Sequence, residues 1–140
     1  MRDGHSLLIA CKSNREGKRR SRYVYRYDLR TERLDSNPFL ELDPEVIAKN
    51  LNREKKTPYF SPSALAVHPL SGEVYIISSP AAALVIYNKQ GKFLDGVELD
   101  RGVHPQPEGM VIDQRGILYI SSEARGGIAR LNIYHPLTVH

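Results

Sequence analysis

Apolar and polar residues alternate along this chain in short bursts of four to seven, each closed by Gly, Pro, Asn, Asp or Ser. That spacing, with its Val, Ile and Tyr enrichment, predicts strands rather than helices. Strands are expected over about 64–67, 74–78, 84–88 and 93–99, with turns at Ser71-Gly72 and at Lys89 to Lys92. Further along they are expected over about 109–112, 117–122 and 128–134, and near the start over 7–11, 23–29 and 39–42. One stretch breaks the pattern. In "DPEVIAKNLNREKK", residues 43–56, Asp43 suits an N-cap and Pro44 the first helical position. Val46, Ile47 and Leu51 can then share one face, which predicts a single short helix.

The bursts repeat. "SPSALAVHPLSGEVYIISS" (61–79) aligns with "QPEGMVIDQRGILYISSE" (106–123) at an offset of 45 residues, which falls to 44 after the turn. Pro62 matches Pro107, His68 matches Asp113, Gly72 matches Gly116 and Ser78 matches Ser122. "LLIACK" (7–12) follows the pattern of "VYIISS" and "LYISSE". A unit of this length, built from about four short strands, is the mark of a β-propeller blade. The chain therefore reads as all-β: one partial propeller domain over 1–140, with units at about 6–42, 61–100 and 106–134 and the helix inserted at 43–56. The first unit begins inside a blade, and the third has at most a vestige of a fourth strand. Three incomplete blades cannot close a ring, so apolar sheet faces are expected to lie open at both ends of the arc. Either the chain is the C-terminal half of a longer propeller, which the mid-blade start favours, or it pairs with a second copy.

Composition adds little to this picture. With 41% hydrophobic and 26% charged residues among 140, the chain has the balance of a globular domain. No apolar run approaches the ~20 residues that span a bilayer, and Leu7 to Cys11 is too short for a secretory h-region. The single cysteine, Cys11, excludes an internal disulfide and reads as a buried thiol. The net charge of +4 is concentrated between Lys12 and Arg33. Arg15 to Arg22 could attract a polyanion, although a solvated hairpin tip is the simpler reading and no nucleic-acid motif accompanies it.

The candidate chemistry sits at one end of the repeated hairpin. A turn at Gln114-Arg115 pairs residue 108 with about residue 122, so Glu108 and Glu123 share one end of one hairpin. Repeat matching puts Ser63 and Ser78-Ser79 in the equivalent places of the second unit, and Lys12 in the Glu123 place of the first. If these are the inner strands, the positions face the mouth of the propeller channel. Two carboxylates there suit a hard cation such as Ca²⁺, with Glu108 and Glu123 as ligands, although a full cage needs more oxygens. An ion pair with Lys12 and a purely local role for Glu108 are the alternatives. His104 lies close in sequence to Glu108 and is the better candidate base, while His68, ahead of Pro69, reads as a turn-stabilising imidazole. No nucleophile elbow or phosphate-cradling loop is present.

"HSLLIACKS", "PSALAVHPLSGEVYIISS" and "QPEGMVIDQRGILYISSE" together resemble the SdiA-regulated proteins of bacteria, relatives of esterase-like phytase and NHL-type propellers. The resemblance covers about Ser6 to Tyr134. It implies that the units are about three blades of a six-bladed propeller and that the protein is held in the cell envelope. The "EG" at 108–109 also resembles the calcium-binding glutamate of gluconolactonase-like propellers, where the metal polarises a substrate oxygen. The family's activity is unsettled. A non-catalytic module that binds a small molecule or protein at its rim is the expectation; the alternative is a calcium-dependent hydrolase of lactones or phosphate esters.

Overall fold

The computed structural model describes residues 4–13, 21–53, 60–124 and 126–137. The alternating segments form three antiparallel sheets. The first contains β1 (Ser6–Ala10), β2 (Arg22–Asp28), β3 (Arg33–Leu34) and β4 (Leu40–Leu42), with β1 and β3 flanking β2 and β4 pairing β2 beyond β3. After the helix α1 (Pro44–Asn50) comes the second sheet, a meander of β5 (Ala64–Val67), β6 (Val74–Ser78), β7 (Ala83–Tyr87) and β8 (Phe93–Glu98). The third sheet is β9 (Pro107–Ile112), β10 (Leu118–Ser122) and β11 (Arg130–Tyr134). The expected strands are therefore present, most within two residues of their expected ends, and one strand, β3, was not expected.

The turns repeat as the sequence does. In the β5–β6 turn, the Leu70 and Ser71 N–H groups donate to His68 Nδ1, both at 3.3 Å. In the β9–β10 turn, the Arg115 and Ile117 N–H groups donate to Asp113 Oδ1 at 2.8 and 3.0 Å. These backbone donors, first that of Ile117, hold the Asp113 carboxyl below its ordinary range. Imidazole and carboxylate thus do one job at matched positions, accepting the N–H groups of the turn. Gly72 and Gly116 follow at φ +73° and +78°, in the left-handed region these turns require.

Alternation along each central strand sends neighbouring side chains to opposite sheets. Ile76 belongs to a cluster with Val24, Leu40 and Leu42 of the first sheet and with Ile47 and Leu51 of the helix. Its neighbour Ile77 clusters instead with Ile120 of the third sheet. The second sheet is thereby covered on both faces. The end faces are not. Leu7 and Ile9 on the first sheet, and Val111, Leu131 and Ile133 on the third, are each at least 43% exposed. Register places Ile9 beside Tyr25, and Val111 and Ile133 on either side of Tyr119.

The helix is shorter than expected and turned. It ends at Asn50, its cap formed by Asp43 Oδ1 accepting from the Glu45 N–H at 2.8 Å. Ile47, Ala48 and Leu51 are buried, while Val46 is exposed. The buried face joins Ile47 to Leu51 at i+4 and Ala48 to Leu51 at i+3, and Ala48 takes the place expected for Val46. Arg53, beyond the helix, fixes this end to the second sheet through Glu98 Oε1 at 2.6 Å and the Ala81 carbonyl at 2.8 Å. Cys11 is half-buried rather than buried.

Candidate functional site

The inner strands β5 and β9 run beside each other, and their first residues meet at one end of the two sheets. Ser63 joins them. Its Oγ donates to the Pro107 carbonyl at 2.8 Å and accepts from the Ser79 N–H at 3.1 Å. Ser78, fully buried, accepts from the Ser61 and Ala81 N–H groups at 3.0 and 3.3 Å. Two serines of the repeat thus serve as backbone connectors, because a hydroxyl can donate and accept at once.

Around this stitch lies a cavity of about 240 Å³, lined by Lys12, Ser63, Ser79, Arg101, Gln106 and Glu108 among others. Four positions singled out in the sequence, Lys12, Ser63, Ser79 and Glu108, therefore share one space. Glu108 reaches it through a bulge: Ser121 pairs with Gly109 but Ser122 pairs with Pro107, leaving Glu108 as the extra residue of β9. Such a bulge re-aims a side chain at a sheet edge. A side chain at 109 would press on the Ser121 hydroxyl, so the "EG" pair encodes the bulge as well as the acid.

Glu123 stands at the same hairpin end, its N–H donating to the Gln106 carbonyl at 2.9 Å, but its side chain is exposed and does not line the cavity. Among the described residues, no group of three or more His, Cys, Asp and Glu gathers to hold a metal. The two carboxylates expected to hold calcium, Glu108 and Glu123, thus share a hairpin end, with only Glu108 lining the cavity.

His104 departs furthest from expectation. It is buried, 3% exposed, and lies away from Glu108 in a second cleft between the second and third sheets. The Val103 and His104 N–H groups donate to the Asp100 carbonyl at 3.1 and 2.7 Å, and this turn carries the imidazole off the rim. Its Nε2 pairs with the Tyr134 hydroxyl at 2.6 Å. Burial lowers its pKa, with Asp100 opposing the effect.

Arg101, in the β8–β9 connection, escaped the sequence reading because no motif marks it, whereas Gln106 opens the quoted repeat but was not singled out as a site residue. Arg101 is held by the Pro80 carbonyl at 2.8 Å. Of the proposed polyanion patch, residues 14–20 lie outside the described residues. Arg22 is buried, its guanidinium donating to the Lys12 and Ser21 carbonyls, and Arg26 lies 5.0 Å over the Phe39 ring. Those two arginines brace the first sheet, Arg22 buried and Arg26 half-buried.

A family model described as SdiA-regulated matches residues 36–125, well over half of the chain. The chain belongs to the SdiA-regulated family. Solved structures place the fold of this SdiA-regulated chain among propeller-like proteins. It is similar to hydrazine synthase of Kuenenia stuttgartiensis, with a TM-score of 0.54 and 18% identity over 86% of this chain and 26% of that one. It is also similar to a luciferin-regenerating enzyme, with a TM-score of 0.50 and 18% identity over 74% of this chain and 30% of that one. The SdiA-regulated chain thus spans under a third of either structure. No curated protein sequence matches it. No helix among the described residues is long and apolar enough to cross a membrane.

Proposed function

We propose that this chain is a β-propeller binding module without chemistry of its own, and that its ligand occupies the rim cavity around Ser63. The observation that supports this reading is the convergence of Lys12, Arg101 and Glu108, one from each sheet or its connections, on a single space of about 240 Å³. A space bordered by side chains of both charges suits a small polar molecule, and an anion is the probe that reports on Lys12 and Arg101. Of the serines that share the space, Ser63 is committed to backbone partners through its hydroxyl. The imidazole of His104 lies in the other cleft, away from these serines.

Calorimetric titration with inorganic phosphate and, separately, with Ca²⁺ tests the proposal. Phosphate is expected to bind saturably, and Lys12→Met to weaken it about tenfold, the usual loss for one charge-assisted contact. Ca²⁺ is expected to give no heat. Saturable Ca²⁺ binding that disappears in Glu108→Gln would instead support the calcium-dependent hydrolase of lactones or phosphate esters.

A further inference from the structure

The two end faces of the stack are the two halves of one kind of junction. Inside the chain, the second sheet receives the third. Tyr75, Leu84 and Ile86 on the second sheet cluster with Leu118 and Ile120 on the third. The outer face of the third sheet repeats the receiving half. Tyr119 lies opposite Ile133 and Ser121 opposite Leu131, just as Tyr75 lies opposite Ile86 and Ile77 opposite Leu84. Leu131 and Ile133 are 61% and 50% exposed. The outer face of the first sheet repeats the inserting half. "LLIACK" aligns with "LYISSE", so Leu7 and Ile9 take the places of Leu118 and Ile120. They are 51% and 43% exposed, where Ile120 is 1%.

Tyr23, Tyr25 and Tyr27 enlarge that face. Val24, between the first two, is fully buried against the second sheet, so alternation turns the three tyrosines outward. Ile9 lies opposite Tyr25 and Leu7 opposite Tyr27. Tyrosine is enriched where proteins meet. One copy thus carries at either end the half-junction that the far end of another copy lacks. Head-to-tail contacts of this sort close into a ring or run on as a filament. Propellers close with about four to eight sheets. One chain supplies three sheets, so two copies supply six, within that range, and three copies exceed it.

We infer that this chain pairs with a second copy of itself, the outer face of each first sheet seated on the outer face of its partner's third sheet, so that the two arcs close one ring. The test of this pairing does not depend on what the rim cavity binds.

Sedimentation velocity of the whole chain over a concentration series reads the pairing. Wild type is expected to rise to twice the mass of one chain and to stop there. Ile9→Lys and Ile133→Glu are each expected to weaken pairing by at least about a hundredfold, because each buries a charge in both junctions of the ring. An equimolar mixture of the two variants is expected to regain the double mass. One of its junctions is then wild type, and the other sets lysine against glutamate. Both positions are exposed in the single chain, so circular dichroism of each variant is expected to match wild type. Leu7→Lys and Leu131→Glu stand in for either variant that does not fold. A wild type that stays single would overturn the inference and leave these faces to a different protein. Masses that run past two copies, a pair that survives either variant, or a mixture that stays single would overturn it as well.

Discussion

Ile76→Ala is expected to lower unfolding stability by about 2–5 kcal/mol, while Ile9→Ala costs less than about 1 kcal/mol. The two isoleucines occupy the same place in the repeat, in "VYIISS" and "LLIACK". What separates them is what stands opposite. Ile76 is fully buried against Val24, Leu40 and Leu42 of the preceding sheet, so truncation leaves a cavity between rigid neighbours. Ile9 points the same way from the first sheet and is 43% exposed, so removing its side chain opens no cavity. Ile120 supplies the internal control. It is buried, 1% exposed, and its alanine variant is expected to fall with Ile76 rather than with Ile9. Urea denaturation at low protein concentration, where self-association is weak, reads all three. Equal losses at Ile9 and Ile76 would mean that sequence type, not the stacking of sheets, sets the cost.

Gly91→Ala is expected to cost about 2 kcal/mol or more, by a different route. Gly91 turns β7 into β8 at φ +84°, where any side chain adds about 1–2 kcal/mol of strain. A Cβ there would also stand 2.7 Å from the Phe39 carbonyl oxygen, a backbone atom of the first sheet that cannot swing aside. Gly72 separates the two effects. It has φ +73°, but an added Cβ would meet only the flexible Lys89 side chain, at 3.5 Å. Gly72→Ala is therefore expected to show the strain alone, and thermal unfolding of the two variants should rank Gly91→Ala clearly lower. Equal destabilisation would remove the close approach between this turn and the first sheet.

The strands were legible because period-two alternation and turn glycines are local, and the repeat let one unit check another. Hairpin pairing followed from the turn position, which is how Lys12, Ser63, Ser79 and Glu108 could be placed at one end. The bulge at Glu108 was not legible as such, since one unpaired residue leaves the apolar pattern of β9 almost unchanged; only the Gly109 beside it hints at the close approach. His104 was misplaced because nearness in sequence to Glu108 was taken as nearness in space. The Asp100 turn, which ends at His104, holds that imidazole in the second cleft, and nothing in the apolar pattern fixes the direction of a loop. Arg101 was missed for the same reason: its position depends on the Pro80 carbonyl, in a turn 21 residues earlier. Val46 shows the limit of periodicity in a helix of two turns, where one residue of rotation exchanges the buried face.

The stacking of repeated sheets is what brings the rim cavity together, and Ser63 is where it can be read directly. Its hydroxyl lies 2.8 Å from the Pro107 carbonyl, across the boundary between the second and third sheets. In a nuclear Overhauser spectrum, side-chain protons of Ser63 are expected to show cross-peaks to Pro107 as well as to Ile77 and Ser79. Cross-peaks from Ser63 to its own sheet alone, with none to Pro107, would mean that the two inner strands do not meet and that the cavity does not exist.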